Sequence, residues 1–199
     1  NDDLKRSKYY SDNNKRFKEE LAHENYKDFL KSLNMNSEID FFNSEYLDRI
    51  TQLVNKTNQF NLTTKRYTVK EIESICNDDS YIPIYGKLSD KFGDNGLISV
   101  IISKISGDVC TIECWLMSCR VIKREMEYEM FNKLVNICNL KNIKKIRGLF
   151  YPTPKNNMVS NLFLELGFDL LEEDENNNTN WELITSNHNR IKTTIKINK

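Results

Sequence analysis

The stretch Ile112–Met130, IECWLMSCRVIKREMEYEM, constrains the fold of this chain more than any other. It reads as a strand that runs straight into a helix, with Ser118, Cys119 and Arg120 at the junction. A helix start carries backbone N–H groups with no intrahelical partner, which suits an anionic group such as phosphate. The flanking segments should therefore build a sheet around this junction or prop it from outside.

Three strands are expected upstream or within it: Tyr81–Leu88, Leu97–Ile105 and Val109–Met117. The turns between them, DKFGDNG and SGD, are short and imply antiparallel neighbours. Beyond the junction, Met126, Met130, Phe131, Leu134, Val135 and Cys138 recur at helical spacing and mark one buried face. Residues 143–151 form a further strand, parallel to the one before the helix because a helix connects them. Asn156–Leu166 reads as a helix closed by Gly167, and 168–171 with 181–184 as a hairpin. Thr68 and Glu71 form a capping-box pair that opens a helix over 68–76.

The ends are read differently. Residues 1–56 contain neither Gly nor Pro and look like a helical arm, with a loose stripe at Phe17, Leu21, Phe29, Leu30 and Leu33. Tyr46, Leu47, Ile50, Leu53 and Val54 make a cleaner stripe. Residues 57–67, TNQFNLTTKRY, are polar at nearly every position, and the tail from Ser186 is polar and expected to fray. The division expected is a helical connector over 1–56, an α/β domain over 57–185 and a polar tail over 186–199.

Composition narrows the function classes. Lys plus Arg and Asp plus Glu both number 29, so the net charge is zero and nothing favours a nucleic-acid partner. No apolar run is long enough to span a membrane, and no apolar leader opens the chain. The missing initiator Met suggests a piece of a longer protein. Five cysteines without a CxxC pair point to a reducing, cytoplasmic setting. His23 and His188 stand far apart in polar surroundings, so no metal site is expected.

The order of elements from 67 to 184 resembles the GNAT acetyltransferase fold, a mixed α/β sheet with flanking helices. In that fold the fourth and fifth strands splay apart, a pantetheine arm slots between them, and the next helix receives the diphosphate on a glycine-containing turn. The matching residues here are Arg120-Val121-Ile122-Lys123-Arg124-Glu125, with Lys123 and Glu125 at the small positions. Phe163 stands where such enzymes commonly carry a Tyr that protonates the leaving thiolate, which leaves Tyr151 as the candidate acid.

A closer resemblance rests on four blocks: KTNQFNLTTKRYT (56–68), LSDKFGDNGLISV (88–100), WLMSCRV (115–121) and PTPKNNMV (152–159). Together they resemble the C-terminal GNAT-like part of FkbH-like proteins, whose N-terminal part is a HAD-type phosphatase. That phosphatase's DxDxT motif does not occur in this sequence. The resemblance implies loading of a glyceryl unit from 1,3-bisphosphoglycerate onto an acyl carrier protein in polyketide-type biosynthesis. It implies Cys119 as an acyl-carrying nucleophile, a helix-start thiolate activated by Arg120 and Arg124, in an exchange that needs no strong acid. The phosphopantetheine of the carrier, or coenzyme A, would lie on Met117, Ser118, Arg120, Val121, Ile122, Arg124 and Asn156. Asn58, Asn61, Thr63 and Asp94 would line the substrate. Competing readings are a small core cysteine, surface arginines, a turn at Asp94 and loop capping by the 57–67 polar groups. At the level of function they are a coenzyme A-dependent N-acetyltransferase, a non-catalytic carrier-docking module or a purely structural domain.

Overall fold

A computed structural model describes residues 2–198, with side chains from Tyr10 onward. Helices α1 (Asp2–Leu21) and α2 (Tyr26–Ser32) lead into strand β1 (Asn36–Phe41) and helix α3 (Leu47–Lys56). Strand β2 (Phe60–Asn61) and helix α4 (Val69–Cys76) come next, then β3 (Tyr81–Asp90), β4 (Gly93–Ser106) and β5 (Val109–Met117). A single 3-10 turn at Cys119–Val121 precedes α5 (Met126–Leu140), followed by β6 (Lys145–Phe150) and the short α6 (Leu162–Glu165). Strands β7 (Asp169–Glu173), β8 (Thr179–Ile184) and β9 (Lys196–Ile197) complete the chain.

The strands form one mixed sheet in the order β7-β8-β6-β5-β4-β3-β1-β9, with β2 attached to β5. The β3-β4-β5 meander is antiparallel, and β5 and β6 run parallel across the α5 crossover, both as the sequence predicts. Successive side chains of a strand point to opposite faces, and here both faces are covered, so the central strands carry buried apolar side chains on both faces. Trp115 and Met117 of β5 join α2, α5 and α6 in one core, whereas Cys114 and Leu116 join α3 and α4 in the other. The α4 capping box forms with both of its hydrogen bonds, and Gly167 closes α6 at a φ of +85°.

Three expectations change. Residues 36–41 are not helical: they form β1, paired antiparallel with β3 from Asn36↔Ser89 to Phe41↔Ile84. Of the first apolar stripe, Phe29, Leu30 and Leu33 are buried, while Phe17 and Leu21 face solvent. The tail does not fray. Ile191 N donates to Asn132 Oδ1 (3.0 Å), Thr194 N to Glu125 (2.7 Å), and β9 pairs parallel with β1. Polar side chains on α5 and at its N-cap hold it down, together with core residue Ile195 and with Ile191 packed against the core, too few apolar residues to mark an element.

Helix α1 docks through charge. Arg16 Nε and Nη2 donate to Asp90 at 2.8 and 2.9 Å, and Arg124 Nη1 donates to the same carboxylate at 3.1 Å. Asp90 also accepts the backbone N–H groups of Phe92 and Gly93, which shapes the β3–β4 turn.

Candidate functional site

The site forms where β5 and β6 separate. They are paired only from Val109↔Lys145 to Ile112↔Gly148, and beyond that point the gap is filled by the chain itself. Phe60 pairs with Met117 and Asn61 with Leu116. Leu62 N then donates to Trp115 O (3.0 Å), and Thr63 Oγ1 to Glu113 O (2.8 Å). On the other side, Tyr151 N, just past β6, donates to Leu62 O (2.8 Å). Residues 60–63 therefore lace the two diverging strands together, and all four are buried.

Asn156 locks this insertion. Its side chain is fully buried, its Nδ2 donates to Asn61 O (2.8 Å) and Tyr151 O (2.9 Å), and its Oδ1 accepts from Thr153 N (2.7 Å). Asn61 is committed as well: its amide donates to Thr57 O and accepts from Thr64 N. Asn58 accepts from Arg66. The polar groups read as substrate contacts, Asn58, Asn61 and Thr63, thus shape the loop that carries β2. Asp94 is exposed and caps its own turn, accepting from Gly96 N at 2.7 Å.

The junction after β5 is not a direct entry into a helix. Helix α5 begins at Met126, and six residues separate Cys119 from it. Ser118 accepts from Arg120 N at 3.4 Å, Val121 is buried, and Ile122 and Lys123 lead into the helix. Lys123 and Glu125 both adopt left-handed backbone, with φ of +65° and +64°. The clash of Cβ with the backbone carbonyl makes that region unfavourable by about 1 kcal/mol per residue, which glycine avoids. Two contacts hold the turn: Tyr26 Oη donates to Lys123 O (2.8 Å), and the Glu125 carboxylate accepts from Thr194. Arg124, expected as an anion ligand, is instead paired with buried Asp90 and ties the turn to the end of β3, on the carboxylate that also holds Arg16 of α1.

A cleft of about 450 Å³ remains outside the filled gap, bounded by Tyr26, Phe60, Lys123, Glu127, Tyr128 and Glu165. Glu127 Oε2 is buried there without a hydrogen-bond partner. Burial, and then the charges of Glu125 and Glu165, raise its pKa from 4.5 to about 7 against the pull of its own backbone N–H. A raised carboxyl pKa means the folded state keeps a proton that the unfolded chain has released. Stability from this group therefore falls as pH climbs from 4.5 to 7 and levels off above. Glu127→Gln should raise unfolding free energy by up to about 3 kcal/mol at pH 8 and leave it unchanged at pH 4. Urea denaturation at both pH values checks this, and equal effects at the two would contradict it.

Cys119 is the one exposed thiol of the five. It sits beyond the end of β5, beside exposed Arg120. The α5 N-terminus and Arg124, both expected to activate it, are absent from its turn or engaged elsewhere. Arg49 on α3, unnoticed in the sequence, approaches the same end of the sheet. Burial and then the positive charge of Arg120 lower its pKa, and its Nη2 donates to Leu97 O at 3.5 Å. Tyr151 is exposed, with its backbone held by Leu62 and Asn156. Phe163 is core: a Cβ on Gly148 would lie 2.3 Å from its ring, so the glycine is what admits it. No cluster of three or more metal-binding side chains occurs among the described residues, nor a helix long and apolar enough to cross a membrane.

No family model and no curated protein matches this sequence. Solved structures do match. The ribosomal-protein-S18-alanine N-acetyltransferase of Escherichia coli superposes with a TM-score of 0.57 at 10% identity, over 75% of this chain and 94% of that one. The GNAT domain of S. lividans PAT gives 0.58 at 11% identity, over 73% and 89%. A Thermoplasma acidophilum N-acetyltransferase, PaiA, solved in complex with coenzyme A, gives 0.53 at 15% identity, over 75% and 99%. The chain has the GNAT fold, with an N-terminal helical extension.

Coenzyme A, which that fold commonly holds between the splayed strands, does not fit the residues present. Phe60–Thr63 occupy the gap between β5 and β6. The turn that would meet a diphosphate carries Lys123 and Glu125 in place of small residues, with Glu127 behind them.

Proposed function

We propose that the chain is an acyltransferase-like domain. It assists transfer of an acyl unit, glyceryl in the proteins it resembles, to the phosphopantetheine thiol of an acyl carrier protein, alongside a HAD-type phosphatase domain. The observation that carries this reading is the exposed Cys119 thiol at the end of β5, outside a cofactor gap that the chain has closed. With that gap closed, the carrier's arm reaches the thiol from the open surface.

The Cys119 thiolate attacks the carbonyl carbon of an acyl phosphate, the carbon–oxygen bond to phosphate breaks, and phosphate leaves. The carrier thiolate then attacks the resulting thioester, and Cys119 departs as thiolate. The second exchange is nearly thermoneutral, so positioning supplies most of its rate, and no Tyr at position 163 is needed. Arg49 and Arg120 place positive charge at this end of the sheet, which favours an anionic acyl donor.

Intact-protein mass spectrometry tests this on the chain joined to its phosphatase domain and incubated with 1,3-bisphosphoglycerate. A glyceryl or phosphoglyceryl mass gain is expected in the native protein and absent in Cys119→Ala. An adduct that survives the substitution, or that never forms, contradicts the thiol's role and leaves a non-catalytic carrier-docking module.

A further inference from the structure

We infer that residues 60–63 are a built-in substitute for the cofactor arm, so that this domain completes its sheet without coenzyme A and does not bind it between β5 and β6. An arm placed in that gap would need the free polar edge of β5. Here Met117 and Leu116 are paired with Phe60 and Asn61, and Trp115 O and Glu113 O accept from Leu62 N and Thr63 Oγ1. The opposite strand's continuation is also taken, since Tyr151 N donates to Leu62 O. Asn156, at the start of the following helical turn, directs its amide to the carbonyls of Asn61 and Tyr151. Phe60 forms one wall of the outer cleft, so the fill extends from the fork of the strands to the cleft.

Burial distinguishes a fixed part from a hinged cover. Phe60, Asn61, Leu62 and Thr63 are each at most 6% exposed, and releasing them would expose Phe60 and Leu62 and orphan at least three backbone partners. The turn with Lys123 and Glu125 is then a secondary obstacle. Its backbone already has the left-handed geometry a glycine turn would have. This inference is independent of the thiol chemistry proposed above, because it concerns the gap and not Cys119.

The test separates the filled gap from the altered turn. Native protein and a Lys123→Gly/Glu125→Gly variant are titrated calorimetrically with coenzyme A and with acetyl-coenzyme A. Amide exchange is followed at Leu62 and Tyr151, and the variant's folding is checked by its melting curve. Neither protein should give a saturable signal at millimolar ligand, and both amides should exchange at least a hundredfold more slowly than exposed loop amides. Binding by the variant alone, with faster exchange at Leu62, would show that the turn, and not residues 60–63, excludes the ligand, and would overturn the inference. Binding by the native protein with faster exchange at Leu62 would also overturn it, since the segment would then be displaceable. Binding with unchanged exchange would place the ligand outside the gap and leave the inference standing.

Discussion

Asp90→Asn is expected to lower the unfolding free energy by about 3–5 kcal/mol, the usual effect of removing one partner from a buried ion pair. The Asp90 carboxylate is inaccessible to solvent and Arg16 nearly so, and the same carboxylate also receives Arg124. An amide at that position can accept at one oxygen only and carries no charge, so two guanidinium groups remain desolvated with their main counter-charge removed. Asp12 is buried close by, on the side of Gly93, and softens the loss without replacing the lost geometry. Because Arg16 belongs to α1 and Arg124 to the turn before α5, the loss should appear locally before it appears globally. Amide exchange in α1 and in residues 122–125 should rise at denaturant concentrations where β4 and β5 remain protected. A cost below about 1 kcal/mol would mean that α1 is not docked on this carboxylate.

Asn156→Asp is the second large effect, about 2–4 kcal/mol at neutral pH. The substitution is isosteric and keeps an acceptor for Thr153 N. It turns the two donors that hold Asn61 O and Tyr151 O into a carboxylate oxygen facing two carbonyl oxygens in a fully buried site. The native contact then becomes a repulsion, relieved by protonating the acid. Its folded pKa should therefore be raised, and stability should recover as pH falls through that pKa. Denaturation curves for native and variant proteins that converge between pH 7 and 4 would fit this account. A constant difference across that range would not.

Much of the fold was legible because its signals are strong where burial is complete. Strands β3, β4 and β5, the buried face of α5 and the capping box at Thr68 rest on long apolar runs or on a specific pair of side chains. Strand β1 was hidden because it lies near the sheet edge and buries Ile39 as its one large apolar side chain, in a segment free of Gly and Pro that reads as helix. The tail was hidden because Glu125, Glu129 and Asn132 hold it by hydrogen bonds, and only Ile191 and Ile195 add apolar packing, too little to mark an element.

The site was legible in its residues more than in their jobs. The sequence marks Asn156 as a contact to a pantetheine arm, and it holds an extended segment in the fork of the strands, but the segment is the chain's own. The available signal was the pair Phe60 and Leu62, two apolar residues at strand spacing inside an otherwise polar loop. They are too few to announce a strand, yet both are buried. Arg124 reads as an anion ligand because its buried partner, Asp90, lies 34 residues away, at the end of β3. Arg49 was unreadable for the same reason: only the packing of α3 on the sheet brings it near Arg120.

The most direct test of the closed gap is to record couplings across its hydrogen bonds by NMR on deuterated, nitrogen- and carbon-labelled protein without ligand. Trans-hydrogen-bond couplings should connect Leu62 N with the Trp115 carbonyl carbon and Tyr151 N with the Leu62 carbonyl carbon. Finding both would place residues 60–63 between the splayed strands in solution. Their absence, with Leu62 and Tyr151 amides exchanging as fast as those of the Asn-rich 176–178 loop, would mean that the gap is open, and the account built on it would fail.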